Sequence, residues 1–260
     1  MANLYSSDVM AAGYAFARPP VHARVIDLVR TYFAGKGTFR RALDIGCGAG
    51  LSTKALQGFA DECVGLEPVE AMLHWTPAVA PEARFVAGRA ERIPFRGGEF
   101  DLMTAAGSLN YVNLDQFFPE AVRVLRPEGN LVVYDFRPGR KFSDSPALAE
   151  WHSDFTTRYP WPRSEARPLD PEILAGIDSG FRVANSELFE IALTLTPHFY
   201  LEYVLTETNV AFAIRNGVPI EAIRTWCAES LQPVWEGRNR EVLFSGYFVC
   251  MQTTRIPPVR

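Results

Sequence analysis

The segment Leu43-Asp44-Ile45-Gly46-Cys47-Gly48-Ala49-Gly50 sets a carboxylate two residues ahead of three alternating glycines. Glycines between a strand and a helix let a ligand approach the backbone, beside the N–H groups that a helix start leaves unpaired. Two ligand classes use that geometry. A dinucleotide rests its pyrophosphate there and requires G-x-G-x-x-G. The third glycine position is Leu51 in this chain, whose side chain hinders close helix–strand packing. Asp44 would also repel a doubly charged pyrophosphate and draw a cation. A ligand with positive charge and no phosphate suits such a loop, and S-adenosylmethionine, with its sulfonium and ammonium, has that chemistry. Glu67 ends the run Val64-Gly65-Leu66, where a carboxylate can accept both hydroxyls of a ribose. That feature serves either ligand class; the two acids and the glycines together favour the phosphate-free one.

Positioning these groups takes a sheet. Val21, Val25, Ile26, Leu28, Val29, Tyr32 and Phe33 recur at helical spacing. Residues 42–45, 63–66, 84–87, 100–106 and 131–134 are short apolar strands. Between them, helices are expected at 51–59, from Val69 to Trp75, and around Phe117, Phe118, Ala121, Val122 and Leu125. Strands alternating with helices imply a parallel sheet covered on both faces. Residues 137–170 hold Pro138, Pro146, Pro160, Pro162 and Pro168, which argues against long regular elements there. Val183 to Thr196 and Val242 to Thr254 are strand-like, and Phe199 to Ile214 and Ile220 to Leu231 are helical.

Taken in order, residues 42–136 resemble the class I S-adenosylmethionine-dependent methyltransferases, in particular the branch of the ubiquinone/menaquinone-biosynthesis and trans-aconitate methyltransferases. Leu43 to Gly50 is similar to the family's first motif. Val64 to Pro68 with Met72 is similar to its second-strand motif, and Gly88 to Phe95 to its adenine-side motif. Phe100-Asp101 opens the fourth strand, and Arg123 to Leu131 is similar to the turn into the fifth. The resemblance implies a doubly wound α/β sheet, Rossmann-like, with seven mostly parallel strands and an antiparallel last strand, for which Val242 to Thr254 is the candidate. It implies S-adenosylmethionine as cofactor, S-adenosylhomocysteine as product, and a cofactor set of Tyr14, Arg18, Asp44, Gly46, Cys47, Gly48, Glu67, Pro68, Met72, Arg89, Ala90, Glu91, Ala106 and Gly107. Arg89 departs from the pattern: family members often carry an aspartate there to accept from the adenine amino group, which an arginine cannot do. Adenine recognition then falls to the Ala90 backbone or to stacking by Arg89. Asn110 and Tyr111 stand where some relatives show a histidine pair.

The expected organisation is one methyltransferase domain. Residues 1–40 form a cap and first helix, 41–136 the cofactor-binding core, 137–240 a helical lid insertion with a sixth strand near 183–196, and 241–254 the last strand. Tyr14 to Pro20 resembles the family's Tyr-x-x-x-Arg-Pro segment, which brings Tyr14 to the sulfonium and Arg18, as a guanidinium fork, to the methionyl carboxylate. Aromatic residues crowd the proposed lid, among them Trp151, Phe155, Tyr159, Trp161, Phe199, Tyr200, Tyr203, Trp226 and Trp235, which favours an apolar or aromatic small-molecule acceptor. Packing accounts for any one of them equally well.

No general base is legible. His22, Tyr14, Asn110 and Tyr111 are weak candidates, and Asp135 at a strand end could orient a substrate. Glu99 and Asp101 read as a strand-start pair, Glu202 and Glu207 as solvated positions on one helix, and Cys47 as a residue that merely fits a tight turn.

Composition narrows the partners. The chain has 260 residues, 48% hydrophobic, with 26 basic against 30 acidic side chains and a formal charge of −4. Its arginines are scattered, so no nucleic-acid partner is expected. No apolar run reaches the ~20 residues of a membrane span, and the N-terminal stretch does not read as a secretion signal. Cys47, Cys63, Cys227 and Cys250 are far apart without histidines at ligand spacing, so no metal site is expected and a reducing cytoplasm is the default. Two other functions compete with methyl transfer: a catalytically silent adenosylmethionine-binding module, and a nicotinamide-dependent oxidoreductase, the latter disfavoured by Leu51 and Asp44.

Overall fold

The computed structural model describes residues 8–254 apart from 36 and 165, so the first seven residues of the expected cap lie outside it. The chain runs α1 (Asp8–Phe16), α2 (Val21–Tyr32), β1 (Phe39–Ile45), α3 (Leu51–Ala55), β2 (Ala60–Glu67), α4 (Glu70–Leu73), α5 (Thr76–Val79), β3 (Arg84–Ala87) and β4 (Phe100–Ala106). It continues through a 3-10 turn at Leu109–Tyr111, α6 (Leu114–Val124), β5 (Leu125–Phe136), β6 (Lys141–Phe142), α7 (Ala147–Arg158) and α8 (Pro171–Gly176). It closes with β7 (Phe181–Leu195), α9 (Pro197–Val204), α10 (Thr208–Arg215), α11 (Ile220–Trp235) and β8 (Arg240–Thr253). Two compact units share these elements. A sheet unit comprises His22–Phe136, Glu165–Phe189 and Gly246–Arg260, and a helical unit comprises Met1–Val21, Arg137–Ser164 and Glu190–Ser245.

Strand order is β3-β2-β1-β4-β5-β8-β6, with β7 paired to β8. The first five strands are parallel to their neighbours, and β8 runs antiparallel to β5 from Asn130↔Gln252 to Phe136↔Gly246. The Rossmann-like sheet and reversed last strand expected from the sequence are therefore present, with the two-residue β6 as an addition. Gly246 is needed at the β5–β8 crossing, because a Cβ there would sit 2.2 Å from the Asp135 carbonyl oxygen.

The apolar strand runs are buried on both faces. Leu43, Ile45, Val64, Leu66, Met103, Leu131 and Val133 join Phe117, Phe118, Ala121 and Val124 of α6 in the sheet unit's core. Asn113 caps α6 by accepting from the Asp115 N–H. From α6, Arg123 ties down the segment after β3. Its Nη1 and Nη2 donate to the Phe95 and Ile93 carbonyls at 2.7 and 2.8 Å, while Glu120 holds Arg123 and accepts from Ile93 N. At the opposite edge of β4, Glu99 pairs with Arg41 and Asp101 with Arg126, so these acids do close strand starts.

Two expectations fail in the helical unit. Residues 147–158 form a three-turn helix within the proline-rich stretch. Pro146 and Pro160 bound this helix instead of interrupting it, and Leu148, Trp151, His152 and Phe155 give it a buried stripe. The expected helix from Phe199 to Ile214 is broken at Leu205-Thr206-Glu207 into α9 and α10. The Thr206 hydroxyl accounts for the break in part, since it bonds back to the Tyr203 carbonyl at 2.7 Å and competes with the helical ladder.

Candidate cofactor-binding site

In an open parallel sheet the ligand crevice lies beyond the carboxyl ends of the strands, where the order reverses. Here β1 is that point, flanked by β2 on one side and β4 on the other. Their ends are level, with Ile45 opposite both Leu66 and Ala105. The loop after β1 folds back at once: Gly46 N and Cys47 N donate to the Leu66 carbonyl at 2.8 and 3.2 Å. Gly46, Gly48 and Gly50 take φ of 65°, 55° and 96°, the left-handed region that only glycine enters freely. At Gly46 space matters too, because a Cβ would come 2.5 Å from Ser108 Cβ, and Ser108 Oγ itself donates to the Ile45 carbonyl.

Asp44 does not face the crevice as the sequence suggested. It is fully buried, and its carboxylate is consumed by three hydroxyls. Ser52 and Thr53 donate to Oδ2 at 2.6 and 2.7 Å, and Thr104 donates to Oδ1 at 2.9 Å. Burial pushes its carboxyl up and the three hydroxyls oppose that. Asp44 is thus a clamp joining β1, the first turn of α3 and β4. The correction has a physical reason: two of the hydroxyl donors lie 8 and 9 residues downstream, in the first turn of α3, and the third 60 residues away.

Glu67 occupies the end of β2 as expected. Its Oε2 accepts from Gly48 N at 3.0 Å and its Oε1 from Val69 N at 2.9 Å. A carboxylate oxygen has two lone pairs, so each oxygen keeps capacity for one further donor. Desolvation raises its carboxyl and the two backbone bonds lower it. Beside it Cys47 is buried, and burial with the nearby Asp44 and Glu67 charges holds its thiol well above the ordinary range, so it is no nucleophile.

The other sequence-derived positions are distributed around this point. Gly88 N donates to the Glu67 carbonyl, which brings the Gly88–Phe95 segment alongside β2. Within it Ala90 is buried, Arg89 is exposed, and Glu91 accepts from Asn113 N. Met72 is buried on α4 and Pro68 exposed before it. Ala106 ends β4, and Gly107, at φ 60°, donates to the Tyr134 carbonyl. A Cβ on Gly107 would meet Asp135 Oδ1 at 2.9 Å.

Of the weak catalytic candidates, Asn110 donates to Asp135 Oδ2 at 3.2 Å, while Tyr111 is 72% exposed on its 3-10 turn. His22 Nδ1 lies 3.0 Å from the Tyr134 hydroxyl, its ring edge-on to Tyr134 and Phe136. Tyr14 and Arg18 belong to the helical unit. There Arg18 Nη2 donates to the Thr206 carbonyl at 3.0 Å, and the guanidinium lies over the Tyr14 ring at 4.3 Å and the Tyr203 ring at 5.3 Å.

Sequence reasoning missed Glu207. Far from being solvated, it is 2% exposed, whereas Glu202 does remain near the surface in an ion pair with Arg224. The only signal in the sequence was its place at the junction Thr206-Glu207-Thr208, where polar β-branched neighbours interrupt an apolar helix.

Residues 43–133 match the family model described as a methyltransferase domain. Over that segment the chain is similar to methyltransferase domains. Similar proteins include a phthiotriol/phenolphthiotriol dimycocerosates methyltransferase of Mycobacterium leprae, 33% identical over 145 residues covering 54% of this chain and 51% of the relative. They also include the uncharacterized methyltransferase YcgJ of Bacillus subtilis, 31% identical over 101 residues covering 36% and 40%. The chain spans about half the length of the curated relatives it matches best in coverage. Among solved structures, a type II methyltransferase candidate from Anaeromyxobacter dehalogenans superposes with TM-score 0.63 at 20% identity, over 81% of this chain and 88% of that one. The [4+2]-cyclase SpnF gives 0.52 at 18% identity over 90% and 82%. These two structural likenesses, both under 25% identical, show the fold.

Proposed function

We propose that this chain transfers a methyl group from S-adenosylmethionine to a small organic acceptor and releases S-adenosylhomocysteine. The observation that carries this reading is Glu67: a carboxylate at the end of β2, oriented by Gly48 N and Val69 N, with capacity left on both oxygens for a ribose diol. The bound cofactor would supply a sulfonium-activated methyl. Glu67 would hold the ribose hydroxyls, and the Gly46–Gly48 backbone would lie against the amino-acid portion. Met72 and Ala90 would give apolar contact to the adenine, with Arg89, Glu91 and Pro68 at its rim and Ala106 and Gly107 below. Asp44 would keep that loop in place without touching the ligand. A pyrophosphate is disfavoured in this setting, since Asp44 and Glu67 put two carboxylates beside the loop on which it would rest.

The acceptor fits the ubiquinone/menaquinone and trans-aconitate branch in being a small organic molecule, apolar or aromatic in part, and not a nucleic acid. The acidic balance of the chain supports this, as does the absence of a basic stripe in its sequence. Among the described residues no helix is long and apolar enough to cross a membrane. The spacing of the four cysteines supports a reducing, cytoplasmic setting.

Titration calorimetry with S-adenosylhomocysteine and, separately, NAD tests the cofactor. Binding of the first and not the second is expected; the reverse, or no binding of either adenosyl ligand, overturns the reading. Mass spectrometry of acceptor mixtures incubated with the chain and S-adenosylmethionine then identifies any molecule that gains one methyl.

A further inference from the structure

The interior of the helical unit holds polar atoms that its own fold leaves unanswered. Glu207, at the N-terminal edge of α10, is 2% exposed, and neither carboxylate oxygen accepts a hydrogen bond from the described residues. Asn209, two residues further, donates Nδ2 to the Tyr159 carbonyl at 2.9 Å, which fixes its orientation and leaves buried Oδ1 without a donor among the described residues. His152 on α7 completes the set. Tyr200 donates its hydroxyl to the Gly139 carbonyl at 2.7 Å and so must accept from His152 Nε2 at 2.8 Å. That assigns the proton to Nε2 and makes Nδ1 a bare acceptor, also buried and without a partner. Donors without a partner in the same unit include Arg140 Nε and Trp235 Nε1.

These groups share one interior. Arg140 acts electrostatically on His152, Tyr200, Tyr203 and Glu207, and Glu207 acts on Tyr200, Tyr203 and Cys227. Aromatic rings close it on several sides. His152 is edge-on to Phe155 and Tyr200, and Tyr200 packs on Tyr203 and Trp235. Buried polar atoms are normally bonded, and a buried carboxylate with no donor is the most costly exception.

We propose that the helical unit recognises the methyl acceptor through an uncharged hydroxyl, phenolic or alcoholic, that donates its proton in a hydrogen bond to the Glu207 carboxylate. This rests on the methyltransferase reading for what the ligand is used for, but not for its chemistry. An ammonium group fits poorly, because Arg140 and Arg18 already act on Glu207 and a third cation would be repelled. A carboxylate fits poorly, because it would face the acceptors Glu207, Asn209 Oδ1 and His152 Nδ1. An uncharged hydroxyl can donate to Glu207 while its oxygen still accepts from a donor such as Arg140 Nε or Trp235 Nε1.

Phenol and anisole differ only in that proton, so they are the probes, with benzoate as the anionic control. Each is titrated into the full chain saturated with S-adenosylhomocysteine, followed by protein NMR. Phenol should bind about tenfold or more tighter than anisole, the effect of one charge-assisted hydrogen bond. The preference should grow as pH rises through about 7, where Glu207 ionises among Arg140, Arg18, Tyr200, Tyr203 and Cys227. Glu207→Leu should abolish the preference, while Glu207→Gln, which keeps an acceptor of the same shape, should retain part of it and lose its pH dependence. Equal binding of phenol and anisole overturns the proposal, as does tighter binding of benzoate or an unaltered pH profile in Glu207→Gln. Phenol discrimination in a chain that fails to bind S-adenosylhomocysteine supports the hydroxyl site while removing the methyltransferase reading. The opposite pattern removes the hydroxyl site alone.

Discussion

Glu207 makes the stability of this protein depend on pH in a direction opposite to that of an ordinary salt-bridged acid. Burial pushes its carboxyl from the usual 4.5 up to about 7, even though Arg140 and Arg18 pull the other way. In the unfolded chain the same group releases its proton near the usual value. Between the two, the folded state keeps a proton that the unfolded state has given up. The stabilisation is therefore complete below 4.5 and is lost as pH rises through about 7. Each pH unit in that window carries about 1.4 kcal/mol, so crossing all of it costs about 3 kcal/mol.

Glu207→Gln removes the titration and preserves the shape and one acceptor oxygen. Urea unfolding of wild type and variant, followed at several values from about pH 4.5 to about pH 8, isolates the effect, because the other raised carboxyls, Asp44, Glu67 and Asp135, occur in both proteins and cancel. The variant should gain about 3 kcal/mol on wild type across the range, most of it between about pH 5 and pH 7. A difference constant to about 0.5 kcal/mol, within the usual scatter of such comparisons, or one that favours wild type increasingly with pH, refutes the burial of an unpartnered acid at this position.

Glu67→Gln should weaken S-adenosylhomocysteine binding about 10- to 150-fold by calorimetry, the loss of one charge-assisted bond of about 1.5–3 kcal/mol, with an unchanged unfolding midpoint separating ligand contact from loop damage. Gly46→Ala should lower stability by about 1–3 kcal/mol in a thermal melt and abolish the ligand-induced rise in Tm, because its φ of 65° and the 2.5 Å approach to Ser108 both penalise a Cβ. Gly48→Val should abolish ligand binding while the far-ultraviolet circular dichroism of the sheet persists. The native chain should react with none of its cysteines towards a thiol reagent at about pH 8, since all four are buried and Cys63 and Cys227 are pushed up to about 11 and about 12; denaturation should expose all four.

The sheet unit was legible because its signals are local. Short apolar runs such as residues 63–66 read as buried strands, and the left-handed glycines after β1 announce themselves by type. Parallel strands put all their carboxyl ends at one end of the sheet, so Gly46, Glu67 and Gly107, each closing or following a strand, fall there together. The helical unit was less legible because its elements are set by what they pack against. Five prolines in 137–170 suggested irregular chain, yet two of them delimit α7, and its stripe of Leu148, Trp151, His152 and Phe155 wins over the local signal. The aromatics read as a substrate lining are mostly consumed in packing, with Trp151, Phe155 and Trp226 stacked on one another and Tyr200 and Trp235 fully buried.

Two buried carboxylates exchange the roles that sequence position suggested for them. Asp44, two residues before a glycine loop, looks like the ligand-facing charge, yet it is fully buried and accepts from Ser52, Thr53 and Thr104. Glu207, in the middle of an apparently amphipathic helix, looks inert, yet none of the described residues donates a hydrogen bond to it. The difference lies in hydroxyl donors, which cost nothing to place beside an acid but are invisible as a pattern when one of them comes from another strand. A fold that satisfies one buried acid three times and another not once leaves the second to keep its own proton or to accept a hydrogen bond from a bound group. On the proposal made above, the methyl acceptor would carry a donor for Glu207, and that feature, ahead of the fit of its apolar part to the surrounding rings, is the first by which a candidate is judged.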